Sequence, residues 1–296
     1  MRYATGAALI VLAGVLWSVQ GLIIRNIDVS GSWAILFWRS AGMVPALLLW
    51  LGRDAKGGLL AQFRAVGWPG VIGGLGLVAA FSGAIYAFQA TTVANAVLLF
   101  SASPFFAAVL GWLLLAEPVR RITWVAIALA VIGITVTVGA GIGGGAMDGN
   151  VAALLSAFGF AVFTVTLRWG KLADMLPAVA LGGVFSMVIG AGMAMALGQT
   201  LMVPAREVAI AAAMGALTLT GGMVLYTLGS RAVPAAQATL LSLVEVLLAP
   251  IWVWLFLDET VTQDTLIGGA VLLGAVLLNA FGGRSARPDP VAERLV

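Results

Sequence analysis

The chain has 296 residues, of which 62% are hydrophobic and 9% charged, and its mean hydropathy is +1.10. A soluble domain is about half apolar and about a quarter charged, so this composition excludes both a soluble globule and a disordered chain and indicates a polytopic membrane protein. The formal net charge of +3 implies no nucleic-acid partner, because Lys and Arg gather in the cytoplasmic loops of membrane proteins. With no cysteine and no histidine, disulfides, thiolate nucleophiles, histidine-ligated metals and imidazole acid–base chemistry are ruled out, and neither a metal nor a cofactor is expected.

Ten stretches are apolar over the roughly 20 residues that a spanning helix needs. In chain order they cover 4–24, 32–51, 67–88, 92–115, 122–140, 150–168, 177–197, 207–228, 233–257 and 264–282. The first is too long for the apolar run of a signal peptide and carries Trp17 and Gln20, so it reads as retained. The connections are short and rich in Gly, Pro and charge. The stretch Gly141–Gly145 lacks the Lys–Ser/Thr of a phosphate loop and reads as a plain outer loop. The tail from 284 to 296 is polar, contains two prolines and reads as disordered.

Orientation follows the short-loop cations. With both termini in the cytoplasm, the inside set is Arg2, Arg53, Lys56, Arg64, Arg120, Arg121, Arg168, Lys171, Arg231, Arg284, Arg287 and Arg294, and the outside set is Arg25 and Arg206. Arg39 lies within the second span.

A shift of 142 superposes Ala90–Gly133 on Ala232–Ala275 without a gap, pairing Leu98/Leu240, Leu99/Leu241, Trp112/Trp254, Leu113/Leu255, Leu115/Leu257 and Glu117/Glu259. A shift of 143 places Ala13–Arg25 on Ser156–Arg168. The chain therefore divides into two five-span repeats, 1–141 and 142–283. Five is odd, so the second repeat is inverted, as in many secondary transporters, with a pathway near the midplane between the halves. The expected fold is an all-α membrane protein: ten transmembrane helices, as two inverted five-helix repeats around a central cavity.

The order of several motifs carries a resemblance. Trp17 stands in the middle of the first span, and Arg39-Ser40-Ala41-Gly42 in the second. Ser101-Ala102-Ser103-Pro104 lies in the fourth, which ends in Glu117-Pro118. Leu241-Ser242-Leu243-Val244-Glu245 lies in the ninth, which ends in Asp258-Glu259. This layout resembles the EamA-type ten-span carriers of the drug/metabolite transporter superfamily, over essentially the whole chain. Within that group, length and aromatic-rich spans look most like amino-acid exporters of the YddG type. The resemblance implies export of amino acids, related metabolites or drugs. One departure is Val246, where relatives often carry the counterpart of Pro104; a kink there is expected to be absent or displaced to Pro250.

Polar groups within hydrocarbon are costly and mark function or internal pairing. Glu245, near the middle of the ninth span, is the acidic residue at greatest depth and reads as a site for a substrate amine or a proton, against a carboxylic acid hydrogen-bonded within the bundle. Arg39 suits a substrate carboxylate, against pairing with Glu245 or snorkelling to the interface. Gln20, Asn95 and Gln237 are amides able to bond both ends of a zwitterion or to hold helices together. Trp17, Tyr86, Phe160, Phe163 and Tyr226 offer aromatic surface to apolar groups and cations, against ordinary packing. Glycines in the third and seventh spans suit close helix approach.

The expected function is a secondary transporter exporting amino acids or related small amphiphilic metabolites across the inner membrane by alternating access. A multidrug or nucleoside/sugar carrier of the same fold is the alternative. An intramembrane enzyme lacks a nucleophile–base pair or a deep carboxylate pair, and a channel lacks a visible filter or charged ring. The partners are a small-molecule substrate and the lipid bilayer. Spans five and ten are the most uniformly apolar and face lipid or a second subunit of a homodimer.

Overall fold

A computed structural model of the chain describes residues 2–27, 31–53, 58–139, 146–172 and 174–281. The stretch Gly141–Gly145 and the tail 284–296 lie outside them. Every regular element among the described residues is a helix, because a chain this apolar can satisfy its backbone in lipid only within each segment.

Ten segments are long and apolar enough to cross a membrane. The first is α1 (Tyr3–Ser18) and α2 (Gln20–Arg25); the second α3 (Ser32–Arg53); the third α4 (Leu59–Ala90); the fourth α5 (Val93–Phe100) and α6 (Ser103–Leu115); the fifth α7 (Arg121–Gly139). The sixth is α8 (Met147–Trp169); the seventh α9 (Leu176–Ala196); the eighth α10 (Ala205–Ala213), a π-helical turn (Met214–Leu219) and α11 (Thr220–Ser230); the ninth α12 (Ala235–Ser242) and α13 (Val244–Leu257); the tenth α14 (Gln263–Phe281). The face at which α1 begins is the near face, and that at which α2 ends is the far face. These bounds follow the sequence reading closely except at the third span. There the helix starts at Leu59 rather than 67, and Gly67 breaks it with φ 51° and ψ −153°, a conformation open to glycine just before Pro69.

Packing follows the internal repeat. The first span lies against the eighth and ninth, and the sixth against the third and fourth; the second meets the seventh, and the fifth meets the tenth. Each pairing maps onto itself or onto another when the halves are exchanged. Small residues permit the approach: a Cβ on Gly76 would stand 2.8 Å from the carbonyl oxygen of Gly159, and one on Gly133 2.8 Å from that of Gly268. In the seventh span Gly182, Gly183 and Gly190 are likewise packed against α4 and α3, whereas Gly192 faces open space.

The fourth and ninth spans break at equivalent points. The first break, at Ser101 and Ala102, precedes Pro104, which has no N–H to continue the ladder. The second falls at Leu243, which is Ser101 plus 142. The expectation that the Val246 departure would abolish this kink or move it to Pro250 is therefore corrected: α13 runs through Pro250 unbroken. The break instead seats against the first span, where a Cβ on Gly14 would lie 3.5 Å from the carbonyl oxygen of Ser242 and 3.4 Å from the amide nitrogen of Glu245.

Candidate functional site

Arg39, two turns into α3, is 2% exposed. Its guanidinium lies 4.7 Å from the Phe81 ring centroid, and Nη1 donates to Gln20 Oε1 at 3.5 Å, the outer limit of a hydrogen bond. Its Nε and Nη2 are buried and have no acceptor among the described residues. The expected alternative, an ion pair with Glu245, is not formed; the ion pairs among the described residues join other groups.

The local fold pins Arg39 in place. A Cβ on Gly215, in the π-helical turn, would overlap the Arg39 carbonyl, and one on Gly42 would overlap that of Ala212, so two backbones touch here. The π turn leaves carbonyls out of the α ladder. Thr218 donates to Met214 O at 2.7 Å, and Thr220 to Gly215 O at 2.9 Å.

Gln20 begins α2 immediately after the break at Val19 and is buried. One turn earlier, the Trp17 ring lies 5.7 Å from that of Tyr226. Its indole nitrogen faces Gly222 at a distance that leaves no room for a Cβ, and it too is buried without an acceptor. Three buried donors, one on Trp17 in the first span and two on Arg39 in the second, thus have no acceptor among the described residues, and Gln20 bonds Arg39 one turn from Trp17. The planar guanidinium fork suits a carboxylate.

Glu245 is half-buried in the first turn of α13, where the helix dipole favours negative charge. Its carboxylate has no ion pair among the described residues. Beside it, Trp252 Nε1 donates to Ser18 Oγ at 2.9 Å, tying α13 to α1. Gln237 is half-buried in α12, and its Oε1 is a buried acceptor without a donor among the described residues.

The structure thus gathers Trp17, Gln20, Arg39 and Tyr226, with Glu245 across the first span. The other expected residues stand elsewhere. Asn95 is fully engaged: its Oδ1 accepts from Thr265 Oγ1 at 2.6 Å, and its Nδ2 reaches Thr91 Oγ1 at 3.5 Å. Thr91 Oγ1 in turn donates to Asn150 Oδ1 at 2.8 Å. Asn95 therefore holds the fourth span to its neighbours. Phe163 is buried against Gly73 in the core. Phe160 pairs with it at 5.8 Å but is 39% exposed, and Tyr86 is 43% exposed.

Sequence reasoning missed two ion pairs. Arg25 Nη2 meets Glu259 Oε2 at 3.1 Å on the far face, and Arg168 Nη1 meets Glu117 Oε2 at 2.8 Å on the near face. The turns that present the two glutamates are built alike. Ala116 and Asp258 both take φ 53°, and the following Glu117 and Glu259 donate their N–H to the Gly111 and Val253 carbonyls, each at 3.2 Å. The repeat matches Arg25 with Arg168 and Glu117 with Glu259, but the partners cross between halves, which an alignment of the halves does not display. The near face also holds a cavity of about 450 Å³, lined by Trp50, Gln62, Lys171, Asp174, Thr227 and Arg231 among others.

Inverted five-helix repeats with broken helices facing the first spans, and unpaired polar groups at the breaks, define a membrane transporter architecture. The EamA-like transporter family matches residues 4–139 and 147–281, one copy per half; the chain belongs to this family and is a membrane transporter of the drug/metabolite type. A solved crystal structure of another protein is similar in fold, with 16% identity, a TM-score of 0.64, and coverage of 96% of this chain and 100% of the other. No curated protein matches the chain.

Proposed function

We propose that this transporter exports amino acids or related small amphiphilic metabolites across the inner membrane by alternating access, with both termini in the cytoplasm. The observation that carries the reading is Arg39, a deeply buried guanidinium with two donors that find no acceptor among the described residues. An uncompensated cation in hydrocarbon is retained at a cost that function must justify. The substrate carboxylate bonds to Arg39 and to the Trp17 indole N–H, and its amine faces Glu245 and the Trp17–Tyr226 rings. The sequence has no nucleotide-binding motif, so a gradient drives any net work. Glu245 is the group suited to exchange a proton with the substrate's passage.

The test is efflux of radiolabelled amino acids from proteoliposomes. Saturable efflux is expected, reduced about ten- to a hundredfold in Arg39→Gln, the scale of one or two lost charge-assisted hydrogen bonds. A pH gradient is expected to change the wild-type rate, and Glu245→Gln to lose that response. Absence of amino-acid efflux from folded protein overturns the substrate class and directs the assay to nucleosides, sugars and drugs.

A further inference from the structure

The two crossed ion pairs are equivalent under exchange of the repeats, yet their surroundings differ. On the far face Glu259 does more than pair with Arg25. Its Oε1 accepts from the Val93 backbone N–H at 2.7 Å, capping α5, and Arg25 Nη2 also donates to the Thr91 carbonyl at 2.6 Å. One knot fastens the end of the first span, the end of the ninth and the start of the fourth. On the near face the equivalent knot would have Glu117 cap α12 at Ala235 and Arg168 reach the Val233 carbonyl. It is not tied. Among the described residues the Glu117 carboxylate bonds Arg168, Arg168 turns to the Ala107 carbonyl at 3.1 Å, and the pair is 43% and 38% exposed against 27% and 17% on the far face.

The helix packing agrees. The start of the fourth span (α5) packs on α13 and α14, whereas among the described residues α12 packs on α1 and α14 and shows no comparable packing on α6 or α7. The breaks agree as well. Ser101, Ala102 and Ser103 are buried, while their counterparts Leu243, Val244 and Glu245 are all partly exposed.

We propose that the two Arg–Glu pairs are the alternating gates of the carrier: this structure is locked at Arg25–Glu259–Val93 and open between α6 and α12. In the opposite state Glu117 caps α12, Arg168 takes the Val233 carbonyl, and Glu259 releases Val93. The inference rests on the alternating-access reading, but its test uses no solute and so fails separately from the substrate assignment.

The chain has no cysteine, so single reporters can be placed without background. Ser103→Cys marks the buried break and Ser242→Cys the accessible one, and both are read in detergent by maleimide labelling rate. The expected result is faster labelling at position 242 than at 103. Glu259→Gln is expected to raise the rate at 103 and lower that at 242, moving their ratio about tenfold, the scale of one lost charge-assisted hydrogen bond. Glu117→Gln is expected to move the ratio the other way or leave it unchanged. Size-exclusion chromatography confirms that each variant is folded. Unchanged ratios in folded Glu259→Gln, or a shift in the same direction in both variants, overturn the proposal. If Glu259→Gln does not fold, Arg25→Gln serves in its place, with the same expected and overturning results.

Discussion

At the level of single residues, unsatisfied donors and satisfied amides separate the proposed substrate contacts from the structural ones. Trp17→Phe keeps an aromatic ring near Tyr226 but removes the N–H that lacks an acceptor together with part of the indole. It is expected to raise the apparent KM about three- to tenfold, the scale of one neutral hydrogen bond, with a small fall in melting temperature from the cavity the shorter side chain leaves. Asn95→Ala is expected to do the reverse. It strands Thr265 and Thr91 in a buried network, costing about 1–3 kcal/mol, so the thermal midpoint in detergent falls while KM holds. The amides were equivalent on the sequence, since Asn95 and Gln237 occupy matching positions. Nothing in the alignment told that Asn95 meets Thr265, a partner 170 positions away, while Gln237 Oε1 meets no donor among the described residues.

Among the elements, the spans were legible because a bilayer demands long apolar runs, and all ten fall where the hydropathy places them. What was not legible was their internal breaks. The ninth span breaks at Leu243 without the proline that signals the equivalent break at Pro104, because the first span presents Gly14 to it, and a tertiary contact leaves no local mark. The π turn in the eighth span is equally silent in sequence. It is nonetheless the seat of the tightest backbone contact near the site. Gly215→Ala is expected to lower stability by about 1–3 kcal/mol through overpacking and to depress transport with it, because the displaced backbone is that of Arg39. A thermal melt paired with an efflux assay reads both.

Across the whole molecule, the inverted repeat follows from the odd number of spans per half, and the pairing of spans obeys it except where α5 and α12 meet their neighbours. The charge bias adds an expectation that geometry alone does not supply, namely which face is cytoplasmic. Cysteines at Arg2 and Arg206 are expected to react with an impermeant maleimide from opposite sides of the membrane in intact cells, with Arg206→Cys labelled from outside. Labelling of both from one side would refute the inverted arrangement of the halves.

The uncompensated guanidinium of Arg39 has a consequence for the transport cycle as a whole. On the proposed alternating-access cycle, the unloaded protein reorients with a buried positive charge that, among the described residues, meets Phe81 and Gln20, whereas the loaded form carries a neutralised pair. The return stroke of that cycle is therefore expected to be the slow one. Unlabelled solute supplied to the receiving compartment should accelerate exit of labelled solute, and one-for-one exchange should outrun net discharge.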